Sequence, residues 1–108
     1  MLSEKLYNAK VEWAESDAIA SQLEEMKKPV LGSIIQTEIQ HNAQLSVAKA
    51  EWIALASNEY KQHIIKMTNA RMEAHIKYAK VQAIIEEIKE NERQNIKNAM
   101  DIKYGSGI

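Results

Sequence analysis

The sequence predicts an all-α protein: a helical hairpin with one long C-terminal helix, coiled-coil-like, assembling into a helical homo-oligomer. Three observations lead there. The chain of 108 residues has three Gly and one Pro, with two of the Gly near its end at Gly105 and Gly107, which leaves almost no turn vocabulary for β-hairpins or phosphate-binding loops. Apolar residues recur at steps of three, four or seven along most of the chain, the spacing of one helix face. The last helix is apolar on two faces, more than a free monomeric rod tolerates in water.

The first helix is predicted over residues 2–40, kinked or broken near Pro29. Its stripe runs Leu2, Leu6, Ala9, Trp13, Ala20, Leu23 and Met26, and Ser3 is a candidate N-cap. Pro29 inside a helical pattern stops or kinks it, and helical spacing resumes at Val30, Leu31, Ile34, Ile35 and Ile39. Residues 41–46 are polar, end in Ser46 and read as a true turn. A short helix over 47–56 follows. Ser57 is then a second N-cap, with Glu59 in the acid-favouring first turn of a helix predicted over 58–103.

That helix has two seams. Tyr60, Met67, Ala74, Val81 and Ile88 form a seven-residue ladder. At about 100° per residue, Ile65, Met72, Ile76, Ala79 and Ala83 lie on a different face. An antiparallel hairpin needs only one seam, so both sets are interface candidates, one against the N-terminal helix and the other against a second copy. Arg71 stands in the first seam where an apolar residue is due, a polar intrusion of the kind that sets register at a cost in stability.

Composition narrows the function classes. With 45% apolar and 27% charged residues the chain is that of a folded protein of one domain, residues 1–108, without repeats or linkers. No apolar run is long enough to span a bilayer, and the N-terminus lacks the pattern of a secretory signal, so a cytoplasmic location is expected. The absence of cysteine excludes disulfides, thiol nucleophiles and cysteine-held zinc.

Chemistry-bearing motifs are sparse. Glu38 and His41 have the Glu-x-x-His spacing of di-iron bundles, but neither His63 nor His75 has a glutamate three residues ahead, so the ligand set is incomplete. Glu59 with His63, Glu73 with Lys77 and Glu24 with Lys28 read as helical side-chain pairs. With no nucleophile setting, the expectation is no enzyme, cofactor, metal or small-molecule substrate. Charge is more informative, because the net value of −1 hides an asymmetry. Residues 1–33 carry four Lys against six acids, whereas residues 58–82 carry Lys61, Lys66, Arg71, Lys77 and Lys80 against Glu59 and Glu73 alone. Lys66, Lys77 and Lys80 cluster on the helical wheel with His63 nearby, a candidate phosphate-binding stripe whose plain alternative is a solvated face. Trp13 and Trp52, beside alanines, read as core or interface packing rather than base-stacking platforms. The mixed-sign run from Glu86 to Gln94 reads as a solvated or partner-facing extension.

The turn Ala54-Leu55-Ala56-Ser57-Asn58-Glu59-Tyr60, an A-x-A-S-x-x-Y pattern opening a helix with basic and alanine positions, resembles small helical proteins of phages and prophages. More distantly, Trp52 and Ser57 followed by that helix are similar to the N-terminal part of the recombination mediators of T4-type phages. The resemblance spans about a third of the chain, from Ala48 to Val81. It implies an oligomer that binds single-stranded DNA and helps load a recombinase in place of single-strand-binding protein, with Lys61, Lys66, Arg71, Lys77 and Lys80 as nucleic-acid-binding residues. The alternative is a structural or adaptor protein acting through protein contacts only.

Overall fold

The computed structural model describes residues 1–105, and every element among them is helical: α1 (Leu2–Glu25), α2 (Lys27–His41), α3 (Val47–Ala56) and α4 (Asn58–Gly105). At about 1.5 Å per residue, the 48 residues of α4 make a rod of roughly 72 Å. It is the spine of a molecule measuring 93 × 20 × 15 Å.

α1 runs antiparallel along α4. Its inward residues Leu2, Leu6, Ala9, Trp13, Ser16, Ala20 and Leu23 alternate steps of four and three, the seam of a coiled-coil pair. Ser16 belongs to this stripe and is buried; its small volume suits it to the place despite the hydroxyl. One core cluster joins Ala9 to Val81 and Ile84, with Leu6, Trp13, Ile85 and Ile88 against it. Ion pairs at 3.5 Å between Lys5 and Glu87 and between Glu12 and Lys80 mark the same register from the surface. Beyond that level α1 has ended, and residues 91–103 are exposed on every side.

α1 and α2 meet at Met26, whose backbone stays in the right-handed helical region, and the Val30 amide still donates to the Met26 carbonyl at 2.9 Å. Pro29 is the third residue of α2, in the first turn, where its missing N–H costs no bond within that helix. The loop after α2 is closed by Asn42, whose side chain accepts from the Gln44 amide at 3.2 Å. Ser46 then caps α3 by accepting from the Lys49 amide at 3.2 Å. α2 and α3 fold back on the start of α4, where Ile34, Ala54 and Tyr60 form a second core with Val30, Leu31, Ile35 and Ile64 around it.

Candidate interaction surfaces of the long helix

The structure assigns the two seams. Tyr60, Ala74 and Val81 are buried inside the chain, and Met67 and Ile88 are half-buried with them. Their place among the candidate contacts with a second copy is corrected: α1 covers the middle and far part of this ladder, and α2 with α3 covers Tyr60. The other seam has no cover. Ile65 is 49% exposed, Met72 59% and Ile76 64%, and Ala79 and Ala83 are exposed with them. These three large side chains form an apolar stripe opposite α1, interrupted by Asn69 between Ile65 and Met72, which water does not favour.

Three of the five candidate nucleic-acid residues are engaged by acids within the chain. Arg71 is the most heavily committed. Its Nε and Nη2 donate to the two carboxylate oxygens of Glu24 at 3.0 and 2.7 Å, Nη1 donates to Asp17 at 2.7 Å, and Nη2 also donates to the Ser21 hydroxyl at 3.2 Å. The fork geometry of a guanidinium accommodates such a set, and a lysine has no counterpart to it. The hydrogen bond from Arg71 holds the Glu24 carboxyl below its ordinary value, with desolvation opposing it and the Arg71 charge adding to it. The same partners push the guanidinium still further above its ordinary range. Arg71 is therefore a clamp between α1 and α4, its guanidinium donors engaged within the chain. Lys77 pairs with Glu73 at 3.3 Å and Lys80 with Glu12 at 3.5 Å. Among the described residues Lys61 and Lys66 have no acidic partner and are exposed.

The A-x-A-S-x-x-Y pattern forms the corner between α3 and α4, and its small and polar positions have evident local roles. Ala54 is fully buried, which lets the two helices approach closely. Ser57 is extended, at φ −69° and ψ 150°, and breaks the helix for one residue. Its hydroxyl donates to the Ala54 carbonyl at 2.6 Å and accepts from the Tyr60 amide at 3.2 Å, closing one helix and opening the next with a single atom. Tyr60 fills the space inside the corner.

On the outside of that corner the structure departs from the packing expected for Trp52. Trp13 does pack, its ring centroid 5.3 Å from that of Tyr78. Trp52, however, is 78% exposed, because Ala50 and Ala54 supply the inward face of α3 and Trp52 lies on the other side. Lys49, one turn earlier on that side, is exposed as well. Leu55, one turn later, borders an open groove of about 410 Å³ lined also by Tyr60, Lys61, Ile64 and Ile65. The alanine spacing of α3 was the signal that could have exposed Trp52, since two alanines four apart already define the buried face.

The histidine motifs are used locally. His41 Nδ1–H donates to the Thr37 carbonyl at 2.9 Å, so the Glu38-x-x-His41 pair is the polar end of α2. His63 does not pair with Glu59: its Nε2–H donates to the Leu23 carbonyl in the last turn of α1 at 2.8 Å. Among the described residues no three His, Asp or Glu side chains converge on a metal-sized site. No described helix is long and apolar enough to cross a membrane. Comparison with protein-family models, with curated proteins and with solved structures finds no match.

Proposed function

We propose that this chain is a non-enzymatic, oligomeric helical accessory protein of a phage or prophage that engages single-stranded DNA, in the manner of the recombination mediators that Trp52, Ser57 and the helix after them distantly resemble. The observation that carries the reading is the outer side of the α3–α4 corner, where an exposed Trp52 stands with Lys49 and the apolar groove bordered by Lys61. A solvent-facing indole is a stacking platform for any base, and cations beside it suit the strand backbone; together they bind without reading sequence. The stripe of five cations along α4 supports the reading less than its sequence suggests, since Arg71, Lys77 and Lys80 are already paired with acids.

The same pairing favours a second reading, a structural or adaptor protein that works through protein contacts alone, with Trp52 anchoring a protein partner. Titration of a labelled single-stranded oligonucleotide decides between them. The first reading expects binding at low salt that weakens as salt rises, quenching of Trp52 fluorescence, and a loss of roughly 5- to 150-fold on Trp52→Ala, as stacking of about 1–3 kcal/mol per base implies. Lys61→Glu lowers the salt dependence. Absence of binding at low salt overturns the DNA reading and leaves the adaptor.

A further inference from the structure

We propose that the outward stripe of α4 docks on the same stripe of a second copy, antiparallel, about a two-fold axis passing between Lys77 and Tyr78. This rests on the oligomeric part of the reading above and specifies its partner and register. Four features of α4 carry it.

The first is spacing. From Ile65 to Glu90 the outward face alternates steps of four and three without a break, through Asn69, Met72, Ile76, Ala79, Ala83 and Glu86. Every one of these residues is exposed in the single chain. A strict heptad of this kind is a coiled-coil seam, and it lies directly opposite the one that α1 occupies.

The second is charge. The positions flanking the seam on one side are Lys66, Glu73, Lys80 and Glu87, alternating in sign and all exposed. In an antiparallel pair these positions meet their own kind from the other copy. With the axis between Lys77 and Tyr78, Lys66 meets Glu87 of the second copy and Glu73 meets Lys80 of the second copy, each pair occurring twice. Shifting the register by one heptad step in one direction sets Lys66 against Lys80 and Glu73 against itself, which is repulsive. These groups already make surface pairs within the chain, Glu87 with Lys5, Lys80 with Glu12 and Glu73 with Lys77. A carboxylate accepts from more than one cation, so the contacts between copies extend those pairs rather than break them.

The third is size. The same register puts Ile76 on Ala79 of the second copy and Met72 on Ala83 of the second copy. Both of these large side chains meet a small one, so the middle of the seam interdigitates, while Ile65 at its end lies beside Glu90 of the second copy. A further shift to the other charge-matched register places Met72 on Asn69 and wastes both alanines. The fourth is polarity. Asn69 meets Glu86 of the second copy, so these two polar seam positions face each other and an amide N–H has a carboxylate to donate to. A parallel pair in register instead stacks Glu86 on Glu86 and Glu90 on Glu90 and brings Lys61 beside Lys66, all unfavourable.

The natural chain has no cysteine, so cross-linking reports the register directly. Two full-length variants are prepared, Met72→Cys and Ala83→Cys, and oxidised alone and after mixing. In the proposed pair these positions face each other, whereas like positions are eleven residues apart along the axis, about 16 Å, too far for a disulfide. The expected result is a linked dimer in the mixture and none in either variant alone. A linked dimer of Met72→Cys alone, or no link in the mixture, overturns the register. Lys66→Glu is expected to raise the dimer dissociation constant several-fold and Glu87→Lys in the same chain to restore it; an unchanged constant overturns the charge argument. A monomeric mass by light scattering at micromolar concentration overturns both this proposal and the oligomeric part of the function. Trp52 itself lies on α3, outside the seam, so the oligonucleotide titration with Trp52→Ala shows failure of the DNA reading separately.

Discussion

Replacing Ser57 tests whether the corner between α3 and α4 is held by one hydroxyl. In Ser57→Ala two contacts are lost: acceptance from the Tyr60 amide at 3.2 Å and donation to the Ala54 carbonyl at 2.6 Å. Loss of an N-cap costs about 1 kcal/mol. The second hydrogen bond is part-buried and adds about 0.5–1 kcal/mol, because the Ala54 carbonyl loses that donor in a place where water has restricted access. The sum is about 1.5–2 kcal/mol, and for a domain of this size each kcal/mol lowers the melting temperature by roughly 4–8 °C. The assay is thermal melting by circular dichroism at one fixed protein concentration, since self-association makes the midpoint concentration-dependent. Three variants form a ladder. Ser57→Thr keeps both bonds and melts near the natural protein, Ser57→Asp keeps only the cap and falls between, and Ser57→Ala is lowest. If Ser57→Asp and Ser57→Ala melt together, or if Ser57→Ala melts with the natural protein, the two-bond account of the corner is wrong.

Ile84→Ala empties a buried position in the α1–α4 core and is expected to cost about 2–4 kcal/mol in urea unfolding. Gly32 is inside α2, and a Cβ there meets nothing within 4 Å; Gly32→Ala is expected to stabilise by about 0.5–1 kcal/mol in the same measurement. The clamp at Arg71 predicts a pH dependence. Because Arg71 lowers the folded-state pKa of Glu24 below the ordinary 4.5, its contribution is present at neutral pH and above 4.5 and is lost as pH falls through the folded value. Glu24→Gln is therefore expected to melt below the natural protein at neutral pH and to converge with it in acid. Arg71→Met, which removes the donor from Glu24, Asp17 and Ser21 together, is expected to abolish that pH-dependent difference.

How much of this was legible in the sequence depends on how far apart the interacting groups lie. The periodicity of α1 and α4, the N-caps Ser46 and Ser57 and the existence of two seams on α4 follow from spacings of a few residues, and a helix repeats its faces whatever else surrounds it. The all-helical hairpin with a long C-terminal helix follows from those spacings and from the scarcity of Gly and Pro. The pairing of the cations lies beyond a local reading for a physical reason. A charge count over residues 58–82 sees Arg71 and Lys80 without their partners, because Asp17, Ser21 and Glu24 lie 54, 50 and 47 residues away from Arg71, and Glu12 lies 68 from Lys80. Only the antiparallel packing of α1 on α4, in one register, brings those groups within hydrogen-bond reach. Trp52 shows the same limit from the other side: its apolar ring suggests a core, but two alanines already occupy the inward face of α3, and the ring is left in solvent. Local periodicity thus determined the helices and their faces. Tertiary structure decided which face met which, because ion pairs and burial depend on distance in space rather than on separation along the chain.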